Sequence, residues 1–154
     1  MNKLTKLIDR LLALTLTLLM ATLVINVIWQ VGSRYLLGDP SSFTEEAARF
    51  LLLWIGLLGG CYAYRTRSHL GLDIVTKQLA EPLQRLAAAI VLFATVTFAF
   101  VVLIYGGGRL VWLTLYLNQT SAALGIPMGY VYLVLPLSGV LITYYSLILW
   151  LKER

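Results

Sequence analysis

The sequence predicts an all-α membrane protein with four transmembrane helices. Of its 154 residues, 60% are hydrophobic and only 12% are charged, whereas a soluble domain usually carries about 25% charged residues. The charges also fall in short clusters between long apolar runs, which is the pattern that a bilayer imposes on a chain. Composition and charge placement together exclude the soluble globular classes.

The positive charges indicate how the chain crosses the membrane. Only three of the 12 Lys and Arg residues, Arg34, Arg49 and Arg109, lie near one set of helix ends. The other nine lie before the first apolar run, between the second and third, or after the last. The positive-inside rule therefore predicts that both termini and the middle connection are cytoplasmic. The net charge of +5 thus indicates topology and not a nucleic-acid partner.

The first transmembrane helix is predicted at about residues 11–31. This apolar run is longer than a signal-peptide core and lacks an A-x-A cleavage pattern, so we interpret it as a retained membrane anchor. Towards its end, Asn26, Gln30 and Ser33 share one helical face. These polar groups either face a partner helix or approach the outer headgroups.

The second transmembrane helix is predicted at about residues 43–64. Ser42 and Glu45 fit a capping box, with Ser42 as the N-cap, and this start makes the helix long enough to cross the bilayer. Glu45 and Glu46 lie in the first turn, where the helix dipole favours carboxylates. Glu45 and Arg49 are four residues apart, so we expect them to pair.

Small residues follow further along the same helix. Gly56 and Gly60 form a G-x-x-x-G pair, which allows another helix to approach closely. Cys61 is the single cysteine, so no disulfide framework or metal cluster is predicted, and we expect it to be a small buried apolar residue.

The connection to the third span is predicted to contain an amphipathic helix at about residues 70–81 that lies on the inner membrane surface. Its apolar residues recur every three or four positions, as is typical of such helices: Leu72, Val75, Leu79, Leu83 and Leu86.

The third transmembrane helix is predicted at about residues 86–110, or extended to residue 117. It is either one long tilted helix or a helix bent at Gly106–Gly108. The fourth is predicted at about residues 127–151, and Pro136 and Gly139 are expected to bend it. We predict one membrane domain comprising residues 1–154.

The ionisable residues argue against a self-sufficient carrier or an enzyme. All seven acidic residues map to helix ends or loops, so the mid-membrane acid that a small proton-coupled exporter requires is missing. No G-x-S-x-G or H-E-x-x-H motif is present, and His69 is the single histidine. We therefore predict no catalytic residues, no metal site and no cofactor.

Two small polar clusters remain as candidate sites. They are either solvated helix ends or contact surfaces for another subunit or for membrane lipids. We hypothesise that the outer cluster ties the outer ends of the first two helices together. The outer cluster comprises Arg34, Glu45, Glu46 and Arg49, and the inner cluster comprises Arg65, Arg67, His69 and Asp73.

At these residues the chain resembles the small membrane subunit (Q-type, DctQ-like) of tripartite ATP-independent periplasmic (TRAP) transporters, and the resemblance covers nearly the whole chain. Phe43 is a departure, because the family often has tryptophan before the glutamates. The resemblance rests on the order and spacing of several short motifs: Arg34-Tyr35, Glu45-Glu46-Ala47-Ala48-Arg49, Trp54, Gly59, His69, Asp73, Pro127-Met128-Gly129-Tyr130-Val131-Tyr132 and Leu135-Pro136-Leu137.

The resemblance implies a subunit of the bacterial inner membrane that does not transport by itself. In this family a large membrane subunit carries the sodium and substrate sites and moves like an elevator. A periplasmic substrate-binding protein delivers an organic acid, such as a C4-dicarboxylate or sialic acid. The small subunit braces the large one and contributes to the surface on which the binding protein docks. The outer cluster is expected near that surface.

Two other functions remain open from the residues alone. One is a stand-alone small exporter, which the missing membrane acid disfavours. The other is an accessory subunit of an unrelated membrane complex, which only the family resemblance separates from a TRAP subunit.

Overall fold

A computed structural model describes residues 3–37, 42–66 and 81–153 of the chain. Nearly all of this part is helical. Its helices are α1 (Lys3–Gly32), α2 (Ser42–Arg65), α3 (Glu81–Phe98), α4 (Gly107–Tyr116), α5 (Met128–Tyr132) and α6 (Val134–Glu153), with π-helical segments at Ser33–Leu37 and Ala99–Gly106.

Four helical stretches are long and apolar enough to cross a bilayer, which confirms the predicted fold class. They are Thr5–Leu36, Ser42–Arg65, Leu86–Tyr116 and Met128–Trp150. Among the described residues no strand is present, and the β-type pairing is one isolated bridge between Thr120 and Pro127. The proposed surface helix at residues 70–81 lies outside the described residues, apart from Glu81, with which α3 begins.

The third span runs through its three glycines without a break. Gly106 and Gly107 both have right-handed helical dihedral angles, so Gly106–Gly108 does not interrupt the helix. The irregular part is the π-helical segment Ala99–Gly106 that comes before α4. A π-helical turn is wider than an α-helical one and is common where a helix meets a functional or packing constraint.

The fourth span is interrupted at Leu133, between α5 and α6. Pro136 lies three residues beyond, in the first turn of α6, where its missing N–H and fixed φ are tolerated. At this interruption the carbonyl of Val131 accepts a hydrogen bond from the Trp54 indole N–H at 3.0 Å. The irregular backbone is thus satisfied by a neighbouring helix, as a lipid environment requires.

The helices are arranged in the order α1, α2, α6 and then the third span. α1 packs against α2, α2 packs against α6, and α6 packs against α3 and the π-helical segment. The fourth span therefore lies between the second and the third. The buried centre lies where α1, α2 and α6 meet and contains Leu12, Leu58, Cys61, Val134 and Tyr145.

A heptad-like seam joins α1 to α2. Nine residues of α1 and of the start of the following π-helical segment are less exposed and recur at alternating spacings of four and three, and such spacing brings one narrow stripe of a helix against its neighbour. These residues are Thr5, Asp9, Leu12, Leu16, Leu19, Leu23, Asn26, Gln30 and Ser33.

Glycines allow the fourth span to approach the third closely. A Cβ added at Gly139 would lie 2.7 Å from Ile104 Cγ1 and 3.0 Å from the Ala99 carbonyl oxygen. A Cβ at Gly107 would lie 2.7 Å from Leu135 Cβ. In contrast, a Cβ at Gly56 or Gly60 would meet nothing within 4 Å. The G-x-x-x-G pair therefore mediates no helix packing within the described part of the chain.

Candidate functional site

Polar contacts concentrate at the two ends of the bundle. We call the end that holds the start of α1 and the ends of α2 and α6 the terminal end, and the opposite end the loop end. In the described residues no three His, Cys, Asp or Glu residues are grouped so that they could hold a metal ion. The polar contacts described below therefore join helices and loops of the chain to one another.

At the loop end, Glu46 binds the connection between α4 and α5. Its carboxylate accepts backbone N–H bonds from Ala122 at 3.2 Å, Ala123 at 2.8 Å and Leu124 at 2.9 Å. Hydrogen bonds to an ionised acceptor are stronger than neutral ones, and three successive N–H groups that converge on one anion form a small anion-binding nest. Glu46 thus fastens the first turn of α2 to a loop 76 to 78 residues away in sequence.

The loop that Glu46 binds, residues 117–127, is held in a closed shape by its own backbone hydrogen bonds. We call it the closed loop. Asn118, with φ 49°, ends α4 in a Schellman motif, because Gln119 N–H donates to the Thr114 carbonyl and Asn118 N–H donates to the Leu115 carbonyl. Met128 N–H then donates to the Gln119 carbonyl at 2.8 Å. The loop therefore has a defined backbone shape in addition to the Glu46 contact.

Ser121 and Gly125 complete the inside of the closed loop. Ser121 N–H donates to the Ile126 carbonyl at 2.9 Å, and Gly125 N–H donates to the Ser121 carbonyl at 3.1 Å. Gly125 has φ 67°, in the left-handed region where a residue without Cβ is favoured. The Ser121 hydroxyl, whose residue is buried, accepts from Ile126 N–H at 3.3 Å.

The other members of the predicted outer cluster do not join the first two helices. Arg49 pairs with Glu45 within α2, as their spacing predicts, and Arg34 is exposed and forms no ion pair within the described part of the chain. Instead, the Asn26 amide donates to the Thr44 carbonyl at 2.7 Å. The hypothesis that the four charges tie α1 to α2 is therefore wrong, because Glu45 is used within its own helix and Glu46 binds the closed loop.

At the terminal end, Asp9 joins three helices. Its carboxylate pairs with Arg65 of α2 at 3.2 Å and accepts a hydrogen bond from the hydroxyl of Tyr145 in α6 at 2.9 Å. The Arg65 guanidinium also lies 5.8 Å from the centroid of the Tyr145 ring, within the range of cation–π attraction. The side chains of Arg65 and Asp9 are only 17% and 24% exposed, so the pair is partly shielded from water.

Two further hydrogen bonds strengthen the terminal end. The hydroxyls of Thr5 and Tyr144 lie 3.2 Å apart, and the Ser146 hydroxyl donates to the Tyr64 hydroxyl at 3.0 Å. Of the predicted inner cluster only Arg65 is described, and Arg67, His69 and Asp73 lie outside the described residues. The sequence singles out Arg65 but not its partner Asp9, although Asp9 follows the four-and-three spacing of the α1 seam.

α2 makes a second set of contacts with the fourth span inside the bundle. Besides Trp54, the Cys61 thiol donates to the Ser138 carbonyl at 3.5 Å. Cys61 is fully buried, as expected for a small apolar residue. α2 is thus the helix to which α1, the closed loop and α6 are all attached.

Much apolar surface has no partner within the chain. On α1, Leu14, Leu18 and Ile25 are exposed, and on the third span Phe93 and Phe100 are exposed. A membrane protein can cover such surface with lipid tails or with another membrane subunit.

The comparisons with known proteins agree on one family. The sequence model described as tripartite ATP-independent periplasmic transporters, DctQ component, matches residues 23–153. The sialic acid TRAP transporter small permease protein SiaQ of Vibrio cholerae is 35% identical over 81 residues, which are 53% of this chain and 47% of that protein. A putative TRAP transporter small permease protein of Haemophilus influenzae is 24% identical over 143 residues, which are 93% of this chain and 87% of that protein.

A third relative is a longer protein. The isethionate TRAP transporter permease protein DctMQ of Oleidesulfovibrio alaskensis is 38% identical over 96 residues, which are 62% of this chain but 15% of that protein. The chain thus spans about half of SiaQ and a much smaller share of DctMQ.

Proposed function

Because this chain belongs to the DctQ family of membrane components of TRAP transporters, we propose that it is the small scaffold subunit of a binding-protein-dependent secondary transporter. The family is a transport component and not an enzyme, and the chain is a multi-pass protein of the bacterial inner membrane. In the proposed role, it braces a large elevator-type membrane subunit and helps the periplasmic binding protein to dock.

The distribution of polar contacts supports a bracing role. The ion pairs of the described chain lie at the helix ends, and the contacts between them are apolar packing and hydrogen bonds to carbonyls. A brace needs helices held at fixed positions, whereas a carrier that couples transport to ions by itself usually keeps ionisable groups near the bilayer centre. The single observation that carries the proposal is the family match over residues 23–153.

The partner is proposed to be a large membrane subunit. DctMQ supports this, because its stretch similar to this chain occupies only 15% of a single permease protein. The exposed apolar residues of α1 and of the third span are available for such a partner as well as for lipid.

The substrate class is proposed to be an organic acid. SiaQ is named for sialic acid, two DctQ relatives, from Rhodobacter capsulatus and Pseudomonas aeruginosa, are named for C4-dicarboxylates, and DctMQ is named for isethionate. All of these substrates are anionic. Sialic acid or a C4-dicarboxylate, with sodium as the coupling ion, is the assignment we propose for the transporter in which this chain serves.

Co-purification tests the scaffold role. The tagged chain, extracted from its native membrane in mild detergent, is expected to recover one large multi-span protein in equal amounts, as identified by mass spectrometry. Deletion of this chain is expected to abolish uptake of the organic acid. A chain recovered alone that still moves a solute in liposomes would instead establish a stand-alone exporter.

A further inference from the structure

We propose that the closed loop, residues 117–127, is the element on which the periplasmic binding protein docks, and that Glu46 is the positioning residue that fixes its shape. This inference rests on the proposed function and adds to it a specific element and a specific residue. In this role Glu46 holds the loop in its shape and does not itself contact the binding protein.

Glu46 determines which groups of the closed loop remain available. The N–H groups of Ala122, Ala123 and Leu124 are all directed towards its carboxylate. The side chains of Asn118, Gln119 and Thr120 are exposed and take no part in the hydrogen bonds of the described chain. The loop thus has one side bound to α2 and another side that presents unused amide and hydroxyl groups.

The chemistry of this side fits a folded, water-soluble partner. Residues 117–127 carry no charged side chain, so recognition would depend on shape and hydrogen bonds and not on electrostatic attraction. A loop whose backbone is already fixed loses little conformational entropy on binding, which increases affinity without additional contacts. Asn118, a non-glycine residue with φ 49°, is consistent with a loop held in one conformation.

The position of the loop agrees with this partner. It lies at the loop end, where the charge distribution predicts the periplasm, and it connects the third span to the fourth. The exposed Glu45–Arg49 pair lies next to Glu46 in α2, but it is used within its own helix and not on the closed loop.

The experiment measures binding of the purified binding protein to the complex of this chain and the large subunit in lipid nanodiscs. Glu46→Gln removes the charge and turns an amide N–H₂ towards three donors, so we expect the affinity for the binding protein to fall about tenfold or more. The matched control is Glu45→Gln, which alters the neighbouring carboxylate and its exposed pair, and should change affinity by no more than about twofold.

Two additional measurements separate positioning from general damage. Hydrogen exchange at the amides of residues 122–124 is expected to accelerate about tenfold or more in Glu46→Gln and to stay unchanged in Glu45→Gln. Thr120→Arg places a bulky cation on the exposed side of the loop without altering the Glu46 bonds. It is expected to weaken docking while exchange at residues 122–124 stays as in the unmodified chain.

The outcomes distinguish this inference from the proposed function. If the unmodified chain does not assemble with a large subunit, the scaffold role itself is wrong. If the complex assembles but Glu46→Gln and Thr120→Arg both bind the binding protein with unchanged affinity, the scaffold role survives and the closed loop is not the docking element.

Discussion

Among the individual residues, Asp9 has the largest structural consequence for the helix bundle. Its two carboxylate oxygens have different partners, Arg65 in α2 and Tyr145 in α6, so one side chain connects three helices. Because Tyr145 is fully buried, its hydroxyl has no ready access to water if this acceptor is lost, and a buried polar group without a partner is costly.

We therefore expect Asp9→Asn to destabilise the bundle by about 1–3 kcal/mol. The amide removes the ion pair with Arg65 and offers a weaker acceptor to Tyr145. Thermal unfolding of the purified chain in detergent, followed by circular dichroism, should show a lower midpoint temperature.

Arg10→Gln is the matched control, since Arg10 is exposed on the same helix and should leave the midpoint nearly unchanged. A double variant, Asp9→Asn with Arg65→Gln, should lose less stability than the two single variants added together, because the shared contact is lost only once. Additive losses would show that Asp9 and Arg65 do not depend on each other.

The sequence predicts local side-chain contacts better than distant ones. The Glu45–Arg49 pair follows from a spacing of four residues in one helix. The Glu46 bonds and the Asp9–Tyr145 bond join residues separated by 76 or more positions, and no periodic pattern specifies which distant backbone or hydroxyl a carboxylate meets. The position of Glu45 and Glu46 in the first turn of α2 therefore follows from the sequence, whereas the binding of Glu46 to a distant loop does not.

On the scale of helices and segments, the glycines determine which helices approach closely. Gly139 lies against Ala99 and Ile104, so α6 contacts the π-helical segment with little separation between backbones. Gly56 on α2 faces open space within the chain. Identical substitutions at these two positions should therefore have different effects on stability.

We expect Gly139→Ala to destabilise the isolated chain by about 1–3 kcal/mol, because the new methyl group overpacks a close contact. Gly56→Ala is expected to be neutral or to stabilise the chain by up to about 1 kcal/mol, since alanine favours a helix over glycine. Both values come from the detergent unfolding midpoint. Equal destabilisation by the two substitutions would contradict the close approach of α6 to the third span at Gly139.

The transmembrane spans are predictable because a long apolar run can form few structures in a membrane other than a spanning helix. Irregularities within them are less predictable. The π-helical segment Ala99–Gly106 ends at the first of the three glycines, and α6 packs against this segment. Pro136 is linked to a real interruption, which lies three residues earlier, at Leu133.

Across the whole molecule, the spatial order of the helices differs from their order in the sequence. α6 lies between α2 and the third span, which leaves α1 at one side of the bundle and the third span at the other. Both of these outer helices expose large apolar side chains. A scaffold with two such sides can contact a large subunit on one side and lipid on the other, and hydropathy alone does not distinguish these two environments.

The orientation of the bundle is a prediction that labelling tests directly. In a chain carrying Cys61→Ser, which removes the single cysteine, Gln119→Cys lies in the closed loop and Thr66→Cys lies at the terminal end, and both positions are exposed. Because nine of the 12 Lys and Arg residues come before the first apolar run, between the second and third, or after the last, the positive-inside rule places the terminal end in the cytoplasm. A membrane-impermeant maleimide should therefore label Gln119→Cys in intact cells.

Thr66→Cys should react only after the membrane is permeabilised, and the Cys61→Ser chain without an added cysteine should not be labelled in either case. The reverse labelling pattern would place Glu46 and the closed loop in the cytoplasm. The closed loop could not then meet a periplasmic binding protein, although the scaffold role towards a large membrane subunit would be unaffected. The orientation therefore determines whether the two proposals hold together, because bracing needs only the membrane-facing sides of the bundle, whereas docking needs its loop end in the periplasm.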